Sequence, residues 1–213
     1  DKKIDTSAVF NTYAGVVKYS GKSVRDSHTG GYGKISLARG FEVSSNTVLV
    51  QAVYNNYKNN PSQFVNHINA IGLNKKLGLE FKGEGTPYIP QPSDKNWSNL
   101  SLPWMAFGYG VSVTPLQTLT FYNAVANNGE MVKPQIITEI KQWDKTIKKY
   151  DKVVINPKVC SQETLLKLKA VLLNVVKRGT GAKLYSKDFS MAGKTGTAAV
   201  NYAKNGGSEK YYA

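Results

Sequence analysis

The segment Met191-Ala192-Gly193-Lys194-Thr195-Gly196-Thr197-Ala198-Ala199-Val200 mixes small, polar and apolar residues in the pattern of an extended strand. Glycine inside a strand weakens it and marks a place where another backbone comes close. Gly193 and Gly196 stand on either side of Lys194 and Thr195, so the segment predicts a polar surface open to a second chain. The plain alternative is a β-hairpin whose lysine points to solvent. Lys-Thr-Gly alone does not separate the two; Ala192 to Ala198 as a unit is far more specific.

Working outward, Ser161 caps the longest predicted helix, about Gln162 to Lys177, with Leu165, Leu168, Leu172, Val175 and Val176 on its buried side. Arg178-Gly179-Thr180-Gly181 ends that helix and leads into the strand. Lys204-Asn205-Gly206-Gly207-Ser208 predicts a turn into a further strand. Upstream, Thr114-Pro115-Leu116-Gln117 is a capping box with proline at the first helical position. Its helix runs to about Asn127, stops at Asn128-Gly129, and should bury Leu116, Leu119, Ala124 and Val125. Val132 to Lys141 reads as one strand, with a returning strand between Lys145 and Val154.

Nearer the amino terminus, Val16 to Arg25 predicts two strands around Ser20-Gly21, and Ile35 to Glu42 a short helix. A helix from about Thr47 to Tyr57 should bury Val50, Val53, Tyr54 and Tyr57. Ser44-Ser45-Asn46 lies between these helices; capping accounts for one of the three more naturally than for all. Asn60-Pro61 opens another helix that ends at Gly72. Gly83 to Pro103 is a long irregular segment of the kind that carries function or moves.

The chain is 41% hydrophobic, which makes it globular, and 28 basic against 14 acidic residues give a net charge of +14. That excess favours anionic partners. The basic residues are dispersed, and the densest run, Lys141 to Lys152, has no nucleic-acid-binding pattern around it, so nucleic acid is not an expected partner. One cysteine, Cys160, excludes an internal disulfide; with His28 and His67 scattered, no metal site is expected. No apolar run approaches the ~20 residues of a membrane span. Both ends read as the interior of a longer polypeptide.

Ser44-Ser45-Asn46, then Gly108-Tyr109-Gly110-Val111-Ser112-Val113-Thr114-Pro115-Leu116-Gln117, then Gly179-Thr180-Gly181 and Gly193-Lys194-Thr195-Gly196-Thr197-Ala198 follow in one order. In this the chain closely resembles the transpeptidase domain of class B, monofunctional penicillin-binding proteins, from about Gly15 to Ala213. The middle segment is more similar to the division-specific branch. The resemblance implies an α+β, penicillin-binding-protein/β-lactamase-like fold, an antiparallel sheet packed between helices, with residues 1–213 forming part of a single domain incomplete at both ends. It implies serine acyl transfer without a cofactor. A serine attacks the acyl-D-Ala-D-Ala end of a peptidoglycan stem peptide and releases D-Ala, and a neighbouring stem's amine takes the acyl group. β-Lactams acylate the same serine.

By resemblance, Ser44 relays a proton, Asn46 donates to the substrate's peptide carbonyl, and Lys194 faces its carboxylate. Thr195 and Thr197 would bind that carboxylate, the Thr197 N–H would serve the oxyanion, and Gly196 would keep the strand bare for the substrate. The resemblance also implies a bacterial inner-membrane anchor outside this chain, a domain facing the periplasm, and division-complex partners including the glycan polymerase. One departure stands out: no Ser-x-x-Lys occurs anywhere in the sequence. Ser36-Leu37-Ala38-Arg39 comes nearest, and a guanidinium that stays protonated is no base. The nucleophile and base are therefore expected upstream of Asp1, and this chain alone is expected not to acylate. Two alternatives stand beside this reading: a serine β-lactamase or β-lactam sensor of the same superfamily, and a non-catalytic basic module that binds an anionic polymer or DNA.

Overall fold

The computed structural model describes residues 4–197 and the backbone of 198–200 and 209–212. Within them the order is β1 (Val9–Asn11), β2 (Val16–Tyr19), β3 (Lys22–Arg25), β4 (Lys34–Ser36), α1 (Leu37–Glu42), α2 (Asn46–Tyr57), α3 (Pro61–Ile71), α4 (Ser101–Met105), α5 (Pro115–Ala126), β5 (Met131–Val132), β6 (Glu139–Gln142), β7 (Lys145–Lys149), β8 (Val154–Asn156), α6 (Gln162–Arg178), β9 (Thr197–Val200) and β10 (Glu209–Tyr212). The fold is α+β and mixes helices with small antiparallel sheets. Among the described residues each sheet has two strands: β1 with β4, β2 with β3, β5 with β8, β6 with β7 and β9 with β10.

Local chemistry accounts for most helix ends. Ser36, Ser45, Thr114 and Ser161 each accept a backbone N–H three residues on, at the starts of α1, α2, α5 and α6. The α5 capping box is complete: Thr114 Oγ1 accepts from the Gln117 N–H at 3.1 Å, and Gln117 Oε1 accepts from the Thr114 N–H at 2.8 Å. The buried Gln117 amide also donates to the Lys75 carbonyl at 2.8 Å, tying α5 to the loop after α3. Thr114→Ala is expected to destabilise the domain by about 1 kcal/mol, read as a lower denaturant midpoint at unchanged slope. Asn60 precedes Pro61 as expected but makes no side-chain cap bond.

Two apolar clusters hold the elements. Val65, Ile89 and Met105 gather Phe64, Ile68, Trp97, Val111 and Val113, so the long loop and the Gly108–Gln117 segment pack onto α3 and α4. Val125, Leu165 and Leu172 gather Phe41, Phe121 and Leu168, joining α5 and α6 to α1. Tyr88 and Ser112 exchange backbone hydrogen bonds at 2.8 Å each way, which orders a stretch the sequence reads as irregular.

Several expectations are corrected. The strand starting at Met191 is strand only from Thr197 on. Val132 to Lys141 is not one strand; β5 and β6 are separate because they pair with different partners, β8 and β7. Leu119 is 62% exposed, not on the buried face of α5. In α2 the buried residues are Thr47, Val48, Val50 and Ala52, while Val53, Tyr54 and Tyr57 are half-buried. The short strands β1 and β4 and helix α4 carry no clear sequence pattern. The predicted turn at Lys204–Ser208 lies outside the described residues.

Candidate active site

The corner between α1 and α2 is built for close packing. A Cβ on Gly40 would lie 2.4 Å from Val48, so only glycine lets α1 sit this tightly on the start of α2. The chain reverses at Ser44, a non-glycine residue held at φ +57°. Such a conformation costs on the order of 1 kcal/mol and persists because its surroundings impose it. The three residues of the corner then divide their work. Ser45, fully buried, caps α2 and donates to the Asp26 carboxylate at 3.0–3.1 Å. Asp26 also accepts from the Thr47 N–H at 2.9 Å and the Thr47 hydroxyl at 2.8 Å. Asn46 Nδ2 donates to the Arg25 carbonyl at 2.9 Å. Ser44 is left facing away from the cap.

Lys194 meets it there. Its Nζ donates to Ser44 Oγ at 2.8 Å, across 150 residues of sequence, and to the Thr195 carbonyl at 3.1 Å. It also lies 5.7 Å from the Phe41 ring centroid, within cation–π range. No carboxylate lies within ion-pair distance of it among the described residues. Burial pushes its pKa below the usual lysine value, because the charged form loses hydration that nothing fully replaces. An ammonium only donates, so Ser44 Oγ accepts from it and keeps its own hydrogen for another partner. Among the described residues Ser44 makes no other side-chain bond, so the pair is a short polar relay with one open end.

A second set of contacts holds the two halves together. Glu42, fully buried at the end of α1, takes bonds from Arg178 at 2.9 and 3.1 Å and from Arg39 at 3.1 Å. Burial by itself would raise the Glu42 pKa; the hydrogen bonds and charges of Arg178 and Arg39 outweigh it and hold the carboxyl below its usual value. The Glu42 carbonyl accepts from the Thr180 N–H at 3.1 Å, and a Cβ on Gly179 would stand 2.2 Å from that carbonyl. Thr180 Oγ1 lies 2.6 Å from Thr195 Oγ1, and the Gly193 N–H donates to the Leu172 carbonyl at 3.2 Å. The turn after α6 is therefore clamped to α1 and carries the Lys194 segment with it.

Of the residues singled out from sequence, Ser44 and Lys194 are in direct contact and Asn46 flanks Ser44 on the same corner. Thr195 binds Thr180, Gly196 is exposed, and Thr197 opens β9 with an exposed side chain. Ser36 and Arg39, the nearest match to Ser-x-x-Lys, are structural: Ser36 caps α1 and Arg39 pairs with Glu42 and the Arg178 carbonyl. Asp26, Glu42 and Arg178 were not anticipated. The Arg39–Glu42 spacing is a readable i, i+3 pair, but nothing local announces Arg178 or Asp26. A cavity of about 580 Å³ opens between α1, α2 and α6, and of the groups around Lys194 only Phe41 lines it.

The family model described as the penicillin binding protein transpeptidase domain matches residues 1–213. Penicillin-binding protein PbpB of Mycolicibacterium smegmatis is 31% identical over 194 residues, 86% of this chain and 28% of the relative. The crystal structure of the D,D-transpeptidase domain of a peptidoglycan glycosyltransferase from Eggerthella lenta superposes with a TM-score of 0.79 at 24% identity, covering 92% of this chain and 49% of that one. Penicillin binding protein 3 from Mycobacterium tuberculosis, complexed with aztreonam, gives a TM-score of 0.74 at 26% identity over 91% of this chain and 43% of its own. The chain spans only 20% to 28% of the length of the curated relatives it matches.

Proposed function

Because this chain belongs to the penicillin-binding protein transpeptidase domain family, as a class B member, we propose that it forms two walls of the active site of a serine D,D-transpeptidase that cross-links peptidoglycan stem peptides during septal wall synthesis. The nucleophilic serine and its lysine base come from a Ser-x-x-Lys segment outside this chain. The single observation that carries the reading is the 2.8 Å contact between Lys194 and Ser44, which joins the Ser-x-Asn corner to the Lys-Thr-Gly segment.

The proposed chemistry combines that contact with the residue roles that the family resemblance implies. The substrate's terminal carboxylate sits against Lys194 with the hydroxyls of Thr195 and Thr197, and its peptide lies along the bare backbone at Gly196 as an added strand. Asn46 holds the peptide carbonyl. When the nucleophile's oxygen bonds to the scissile carbonyl carbon, the C–N bond to the last D-Ala breaks and its amine needs a proton. Ser44 supplies it from the open end of the relay and is reprotonated by the lysine base outside this chain, which took the nucleophile's own hydroxyl proton as its oxygen attacked; Lys194 stabilises the charge during transfer. The Thr197 N–H serves the oxyanion. The second half runs in reverse, with the acceptor stem's amine giving up its proton as the cross-link forms.

β-Lactams enter the same site, as the aztreonam complex of the Mycobacterium tuberculosis relative supports. The wider setting proposed is a membrane-anchored protein whose domain faces the periplasm and works with the glycan polymerase of the division machinery. Fluorescent penicillin tests the reading. The intact protein should label covalently and hold the label for a long time, whereas the 213-residue chain alone should not label. Absence of label on an intact protein that carries Ser-x-x-Lys, or rapid release of hydrolysed penicillin, would remove the transpeptidase reading, the latter in favour of a β-lactamase.

A further inference from the structure

The β6–β7 hairpin contributes nothing to the site above, yet its two faces are built differently. Its register pairs Glu139 with Lys149 and Lys141 with Thr146 on one face, and Ile140 with Lys148 and Gln142 with Lys145 on the other. On the first face Glu139 takes Lys141 Nζ at 2.7 Å and the Thr146 hydroxyl at 3.2 Å, while Lys149 has no carboxylate within ion-pair distance among the described residues. On the second face Ile140 is 43% exposed, Lys145 and Lys148 have no carboxylate within ion-pair distance among the described residues, and Lys148 Nζ lies over the Tyr150 ring, 4.5 Å from its centroid. The register shift leaves Ile147 as the extra residue, 60% exposed, and Trp143 stands at the turn with φ +54° and 93% of its surface in solvent.

We infer that this hairpin face docks on an anionic phospholipid surface, with Trp143, Ile140 and Ile147 at the headgroup boundary and Lys145 and Lys148 on the lipid phosphates. The combination decides the occupant. A soluble polyanion would engage the lysines and leave an indole and two isoleucines in water. An apolar pocket on another protein would take the isoleucines but strip water from two ammonium groups that have no carboxylate to meet them among the described residues. A negatively charged membrane interface suits both: indole rings collect there, lysine stems lie along apolar surface with their heads in water, and each cation gains from the surface potential. The net charge of +14 adds long-range attraction of the same sign. The inference rests on the hairpin alone and is independent of the catalytic reading.

The test is co-sedimentation of the 213-residue chain with vesicles of phosphatidylglycerol and phosphatidylcholine, beside vesicles of phosphatidylcholine only. All substituted positions are exposed, and circular dichroism checks that each variant keeps its fold. Wild type should partition onto the anionic vesicles and be released by high salt. Lys145→Ala with Lys148→Ala should weaken partitioning by about 30-fold, from the loss of two surface cations. Ile140→Ser with Trp143→Ser should weaken it by about 10-fold or more without changing its salt dependence. Wild type that ignores the vesicles, folded variants that bind like wild type, or equal binding to both vesicle types would overturn the inference. Binding to soluble polyphosphate that needs Lys145 and Lys148 but not Trp143 would overturn it in favour of a polymer site.

Discussion

Replacing Lys194 by alanine in the intact protein is expected to slow covalent labelling by penicillin about 10²–10³-fold, the usual consequence of removing one preorganised group that stabilises developing charge. The fold should survive. Lys194 is half-buried, and among the described residues it has no carboxylate partner and its polar partners are Ser44 Oγ and the Thr195 carbonyl, so its charge is held at a cost in hydration. Stability to denaturant should therefore stay level or rise slightly. The sign of the pH effect follows from the lowered pKa. Between the depressed folded value and the ordinary lysine value the unfolded chain binds more protons, so wild-type stability rises with pH across that window. Lys194→Ala should flatten this alkaline rise. A labelling rate within threefold of wild type would show that the lysine has no part in the chemistry, whatever its contact with Ser44.

The second large effect lies outside the reacting groups. Arg178→Ala is expected to destabilise the domain by about 2–3 kcal/mol, because the Glu42 carboxylate is fully buried and would keep only Arg39 as a charged donor. The loss comes from the stranded carboxylate and not from Arg178 itself, which is 63% exposed. Acid sensitivity checks the mechanism. A carboxyl whose folded pKa is held below its unfolded value stabilises above the unfolded value, and this contribution fades as pH falls through the folded one. In Arg178→Ala that acid loss should shrink. Glu42→Leu combined with Arg178→Ala should recover part of the stability, since removing both ends leaves no uncompensated buried charge. The same clamp holds the turn before Lys194, so Arg178→Ala should also slow penicillin labelling. Full stability in Arg178→Ala would mean the pair is incidental.

Much of this was readable from residues a few positions apart. Thr114 and Gln117 cap α5 because both bonds close within one turn. Ser20 and Gly21 both take positive φ, as a two-residue hairpin turn between β2 and β3 demands. The Ser44-Ser45-Asn46 triplet contains one cap and two residues left over for other work. The strand boundaries were less legible. Whether Gly193 to Gly196 joins a ladder depends on what lies beside it; here the backbone is drawn toward α6 through Gly193, and the ladder begins only at Thr197. Leu119 follows the helical period as well as its neighbours do, yet no element covers it.

By itself, then, the sequence determined the starts of α2, α3, α5 and α6, the turn between β2 and β3 and the family motifs, since each depends on steric limits and hydrogen bonds that span no more than four residues. Tertiary structure alone decided that Ser44 and Lys194 meet, that Glu42 is buried between two arginines, and that Asp26 braces the α2 cap. Those contacts join positions 19 to 150 residues apart. Nothing in a local pattern encodes such a distance; it follows from which apolar faces of α1, α2 and α6 bury one another.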